Sequence, residues 1–233
     1  WNNQRTVYTH GYGMVAAFGN QRVSNGEPVF FAYGIPTRGE LPEHEPRIYF
    51  GENSTQWVVA GAPEDREPVE LDTPGGGEGG AETRNTYAGD GGPSLGNLWH
   101  QVLYAIRMGS EQILFSDRVN AESQILFDRD PATRVAKVAP YLTLDGRVYP
   151  AVVDDDDDPE TPKRLLWIVD GYTTTNNYPY SARESLQEAT IDSLNTQGTS
   201  LASAIIPEQV NYIRNSVKAT VDAYDGTVKL YQW

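Results

Sequence analysis

The chain has no cysteine among its 233 residues. Disulfide scaffolds, zinc–thiolate centres and thiol nucleophiles are therefore excluded. No apolar run approaches the roughly 20 residues of a membrane-spanning helix. Positive charge is scarce: 18 Lys and Arg stand against 32 Asp and Glu, a formal net charge of −14. That balance disfavours nucleic acid, whose phosphates are bound by displacing counterions with Lys and Arg. It equally disfavours adhesion to anionic headgroups. Familiar catalytic strings are missing too. There is no H-E-x-x-H and no glycine loop ending in Lys-Ser or Lys-Thr.

Aromatics partly offset an apolar content of only 39%. The 14 Tyr and 5 Trp can each bury a large area. With 22 Gly and 15 Pro, the chain predicts many turns and little long helix. Arg5–Phe18 reads as a β-rich opening broken by Gly11 and Gly13, with Trp1 already inside strand-like sequence. Such a start suggests a domain cut from a longer protein. Pro28–Tyr33, Arg47–Phe50 and Gln56–Ala60 read as short strands between turns, spaced for an antiparallel sheet. Residues 60–92 carry eight acids, two arginines and GGGEGG, and read as a long surface loop.

Two helices are expected. Leu95, Leu98, Trp99, Val102 and Ile106 recur at helical spacing, with Ser94 as N-cap. Asp130-Pro131 starts the second, Val135 and Val138 face inward, and Pro140 ends it. Val148–Val153 and Leu165–Asp170 read as a hairpin whose connection, 154–163, projects Asp154–Asp158 into water. Residues 182–207 form a polar loop with a short helix near Arg183–Leu194. Val217–Tyr224 and Val228–Trp233 are strands joined at Asp225-Gly226, a type I′ dipeptide.

Few residues invite chemistry. His10, between Tyr8 and Tyr12, has the type for a base or a metal ligand. Nothing local supplies a paired carboxylate, so it reads as structural. Asp154–Asp158 lacks the ligand spacing of a calcium loop and reads as a solvated insertion. Asp170 and Asp222 each interrupt an apolar strand. As a pair flanking a sugar they would suit glycoside hydrolysis. The rival reading pairs them with donors such as Arg214 or Lys218. No cofactor or metal site is expected.

Five strings together resemble one family. They are YTHGYG at Tyr8–Gly13, PRIYFGE at Pro46–Glu52, APYLTLDG at Ala139–Gly146, WIVDGYTTTNNYPYS at Trp167–Ser181 and NYIRNSVKATVDAYDGTVKLY at Asn211–Tyr231. In that order they are similar to the uncharacterised bacterial family UPF0182. The resemblance implies a bundle of N-terminal transmembrane helices followed by a large extracytoplasmic region, to which this chain would belong. It transfers no catalytic residue. Two features depart from the family pattern: the insertion Asp154–Lys163, and Gly146-Arg147-Val148 before Tyr149. Lengthening a hairpin tip costs little entropy.

The expectation is one α+β domain over residues 1–233, mainly short antiparallel strands with two or three small helices. It is expected to be non-enzymatic, to lie at the extracytoplasmic face of the cell membrane, and to bind or scaffold an envelope component or membrane-protein partner. The expected contact residues are Tyr172, Asn176, Asn177, Tyr178 and Tyr180, because Tyr and Asn make adaptable contacts at low entropic cost. The alternative is an envelope glycoside hydrolase using Asp170 and Asp222.

Overall fold

A computed structural model describes residues 1–74, 81–154, 161–186 and 209–233. Its opening is not a strand. Asn3–Val7 forms a π-helical turn in which Tyr8 N–H donates to Asn3 O. Then come β1 (Gly11–Tyr12), β2 (Ala16–Arg22), β3 (Pro28–Tyr33), β4 (Arg38–Gly39), β5 (Arg47–Ile48) and β6 (Val58–Ala60). The acidic stretch adds β7 (Glu70–Thr73) and β8 (Thr83–Asn85). Helices α1 (Leu98–Met108) and α2 (Gln112–Phe115), strand β9 (Gln124–Leu126) and helix α3 (Pro131–Val138) follow. The last third holds β10 (Thr143–Val153), β11 (Arg164–Thr175), β12 (Glu184–Ser185), β13 (Gln209–Val210), β14 (Tyr212–Asp222) and β15 (Val228–Gln232). Among the described residues the architecture is thus mostly antiparallel strands in small sheets with four short helical segments, consistent with α+β.

The largest sheet runs β10-β11-β14-β15, antiparallel throughout. Its β-branched residues alternate across the pleat. Val169, Ala219 and Val221 therefore bury one face against Val135 of α3. Asp130 Oδ1 caps α3 by accepting from Thr133 N–H at 2.7 Å, and Pro131 takes the first helical position. Val138, expected inward, is exposed. The hairpin of β10 and β11 pairs Val153 with Arg164, so residues 154–163 are its connection. Asp155–Asp158 lie outside the described residues, and Asp154 sits 3.8 Å from Lys163.

Three further expectations are corrected. The β14–β15 connection is not a two-residue I′ turn, because Val221 pairs with Val228. Five residues, Ala223–Thr227, turn the corner, and Asp225 is not at positive φ. Gly226 alone takes φ 72°, and a Cβ there would lie 2.8 Å from the Phe50 ring. Residues 60–92 are not merely a surface loop. The β7–β8 hairpin lies within them, and Glu70 and Tyr87 are buried. Finally, α1 starts at Leu98 with Asn97 as its cap, accepting from His100 N–H at 2.8 Å. Ser94, the expected cap, is instead bridged to Gln124. Most of the 182–207 loop lies outside the described residues; Glu184–Ser185 is extended and pairs with β13.

The recurring strings meet at one ring. Phe50 is fully buried, its N–H donates to Ala223 O at 2.9 Å, and its carbonyl accepts from Trp167 Nε1 at 2.7 Å. Arg134 lies over the ring at 4.4 Å. PRIYFGE, WIVDGY and VDAYDG are therefore spelled to fit one another.

Candidate functional site

Polar side chains from β5, from β7 and from Thr9-His10 just before β1 converge beneath the surface. Glu70 is 4% exposed and its carboxyl is saturated. Oε1 accepts from Gly61 N–H (2.9 Å) and Tyr87 N–H (3.0 Å). Oε2 accepts from Tyr49 OH (2.6 Å) and Thr9 Oγ1 (2.8 Å). Beside it, His10 Nδ1 is 2.9 Å from Thr9 Oγ1, and His10 Nε2 is 2.9 Å from Asp72 Oδ1. Arg47 closes the row, donating to both Asp72 oxygens at 2.9 and 2.8 Å and to Glu45 at 2.9 Å. The fold thus supplies the acidic partners that no neighbour of His10 in sequence provides.

Burial sets the electrostatics. It pushes the His10 imidazole below its ordinary pKa, although Asp72 and Glu70 pull the other way. Burial would raise Asp72, but the hydrogen bonds and charge of Arg47, with His10, outweigh it and hold Asp72 below the usual carboxylate range. The Arg47 guanidinium is raised by Asp72 and Glu45. Tyr49 is pushed up by burial and by Glu70.

Hydroxyl, imidazole and carboxylate in a row is the geometry of a nucleophile, a base and its orienter. Here the nucleophile position is closed. Thr9 is 0% exposed and its hydroxyl is spent on Glu70. The His10 side chain is likewise wholly out of solvent. No substrate reaches either group in this conformation. Among the described residues, no group of three His, Asp or Glu side chains is placed to hold a metal ion. The cluster instead ties the first 12 residues to the β7–β8 hairpin. Tyr49, Tyr87 and Tyr224 extend it, with ring centroids 4.4–5.4 Å apart.

Asp170 and Asp222 are not brought together. Asp222 is opposite Leu166, and Asp170 lies four residues further along β11, about 13 Å away at strand rise. That exceeds the roughly 5–9.5 Å of glycosidase carboxyl pairs. Asp170 pairs with Lys218. Asp222 accepts from Arg164 Nε at 2.8 Å and from the Tyr224 and Asp225 N–H groups, fixing the β14–β15 corner. A cleft of about 420 Å³ does border Asp222, but the second carboxylate in it is Asp225, also held by Arg164 at 3.1 Å. The hydrolase reading receives no support from this arrangement.

The expected contact residues divide. Tyr172 is half-buried, and its hydroxyl donates to Asp145 Oδ2 at 2.6 Å. Asn176 and Asn177 are exposed. Tyr178 is clasped by Asn211, whose Oδ1 accepts from Tyr178 N–H (3.0 Å) and whose Nδ2 donates to Tyr178 O (2.7 Å). Its ring stacks on Tyr212 at 5.2 Å and 16°. Tyr180 is fully exposed at φ 60°, a left-handed conformation that costs energy for a bulky residue. Sequence reading missed Asn211, Glu70, Asp72 and Arg47. For the acids the one available signal was Glu70 and Asp72 alternating about an apolar Leu71.

The family model for the uncharacterised protein family UPF0182 matches residues 1–233. A UPF0182 protein of Bifidobacterium longum is 58% identical over 236 residues, covering all of this chain and 21% of the relative. UPF0182 proteins of Arthrobacter sp. and Clavibacter michiganensis are 55% and 53% identical, again over the whole chain and 22% of each relative. The chain thus spans about one fifth of the length of these relatives. No solved structure matches it. Among the described residues no helix is long and apolar enough to cross a membrane. With the family model matching from end to end, this chain belongs to the uncharacterised protein family UPF0182.

Proposed function

We propose that this chain is a non-enzymatic docking domain of a longer bacterial envelope protein, held at the extracytoplasmic face of the membrane. The placement rests on the family pattern of membrane helices followed by an extracytoplasmic region. The docking role rests on one observation: the turn around Tyr178–Tyr180 is pinned by its neighbours and carries an exposed ring. Asn211 clasps it from the link between β13 and β14, Tyr212 stacks against Tyr178, and Tyr180 takes a left-handed conformation with its ring in solvent. Strain of that kind persists only where surrounding structure imposes it. By contrast, the carboxylates and the histidine of the His10 cluster are consumed by internal bonds.

The test uses intact cells that produce the full-length parent protein, treated with a membrane-impermeant amine crosslinker. A discrete product is expected with the wild type. It falls at least fivefold in the Tyr178→Ala/Tyr180→Ala variant, whose isolated chain keeps its urea midpoint. An equal yield from both proteins, or no product from either, would overturn the reading.

A further inference from the structure

Helix α1 is apolar on two sides. Its inner side places Ala105, Tyr104 and Met108 on the cluster of Val59, Leu95, Ile113 and Ile125. Its outer side carries Leu98 (69% exposed), Trp99 (68%), Leu103 (45%) and Ile106 (75%), with Val102 between them. At 100° per residue these five positions fill one arc of roughly 140°. A helix that is apolar nearly all round belongs between two layers, yet only one layer is present among the described residues. In the next helix, Phe115 of α2 is 77% exposed. Trp99 and Phe115 alone leave roughly 300 Å² of aromatic surface in water. A groove of about 590 Å³ runs where α1 turns into α2, lined by Val102, Ala105, Ile106, Gly109, Ser110 and Leu114 among others.

We propose that this outer face of α1, with its groove, is the seat of another segment of the same longer polypeptide. The inference deepens the reading of this chain as one part of a larger protein and rests on it. The occupant follows from length. The relatives align over the whole of this chain, yet this chain is only 21–23% of them, so nearly four fifths of each related polypeptide lies outside it. An apolar segment of that remainder is covalently attached and present at high effective concentration, which makes it the cheapest cover for the face. An apolar helix laid along the stripe would bury side chains in the groove at i and i+4 spacing.

The lack of cysteine in this chain makes the test direct. Ile106→Cys is introduced both in the isolated chain and in the full-length parent, whose other cysteines, if any, are changed to serine. Maleimide labelling is followed in the same detergent for both, with Asn25→Cys as an exposed control and each rate normalised to the urea-unfolded protein. Labelling at 106 is expected to be at least tenfold slower in the parent than in the isolated chain, with the control unchanged. Equal rates at 106 would overturn the proposal. So would protection of the isolated chain that appears only as its own concentration rises, which indicates a second copy. Protection that appears only with added phosphatidylglycerol vesicles would overturn it too, since the occupant is then lipid. None of these outcomes bears on the Tyr178–Tyr180 turn, whose crosslink fails or succeeds separately.

Discussion

Arg129→Met is expected to lower the unfolding free energy by about 4 kcal/mol. Arg129 is 5% exposed and has no carboxylate partner among the described residues. Its guanidinium instead bonds three backbone carbonyls from separate parts of the chain. Nε donates to Tyr49 O (2.5 Å), Nη1 to Gln56 O (3.0 Å) and Nη2 to Thr9 O (2.5 Å). Burial pushes its pKa down to about 10, so it remains a cation at neutral pH. Methionine fills much of the volume but leaves three inward-facing acceptors without this donor. Each unmet group costs about 1–3 kcal/mol, partly offset because a buried charge is also removed. Against a total stability of about 5–15 kcal/mol, this brings the fold close to failure. Arg129→Lys is expected to recover less than half of the loss, because an ammonium cannot reach three carbonyls as a planar fork does. Urea unfolding with an unchanged m-value reads both variants. A loss under 1 kcal/mol for Arg129→Met would show that Arg129 is not the tie it looks to be.

Glu70→Gln is expected to cost about 3 kcal/mol although it changes almost no volume. The carboxyl accepts four hydrogen bonds, two at each oxygen. An amide turned either way offers one acceptor oxygen and one NH2, so two donors face two more donors. Flipping Gln exchanges the backbone pair, Gly61 and Tyr87, for the side-chain pair, Thr9 and Tyr49. The two hydroxyls can rotate, so the amide nitrogen is expected on their side. The cost then falls on the Thr9–His10 end of the cluster, which loosens first. Urea unfolding measures the loss, and hydrogen exchange at Gly11 and Tyr12 locates it. A near-neutral effect would mean that water already enters the site.

These two residues also mark the limit of reading by pattern. The β10–β11 hairpin, β3, and α3 with its Asp130-Pro131 start were legible, because alternation, capping and turn chemistry are local. Glu70 was not. It lies in a stretch rich in acids and glycine, where composition argues for solvent. What buries it is Thr9 and Tyr49, 61 and 21 residues away. The apolar stripe of α1 was legible as a period but not as an orientation. Its period was right, but the side that meets the core is Ala105, Tyr104 and Met108, while the richer stripe faces out. Periodicity gives a helix its faces and cannot say which neighbour takes which. The strict spelling around Phe50 and Tyr224 was visible as strings, but its purpose needed the strand register that joins them.

The buried His10 cluster holds shape and is closed to chemistry, and the pH titration of the His10 imidazole by NMR tests this directly. The chain has only three histidines, so the signal can be assigned with one substitution. The folded-state pKa of His10 is depressed relative to the unfolded chain. Its unfolded form therefore takes up a proton first as pH falls below about 6.5, and folding stability drops with it. Asp72, also depressed, adds loss in the same direction at lower pH. The predicted result is an imidazole that titrates below its ordinary pKa in the intact fold, with its ring N–H protected from exchange. A His10 that titrates near 6.5 in the intact fold, with rapid exchange of its ring proton, would show an open site and contradict the account.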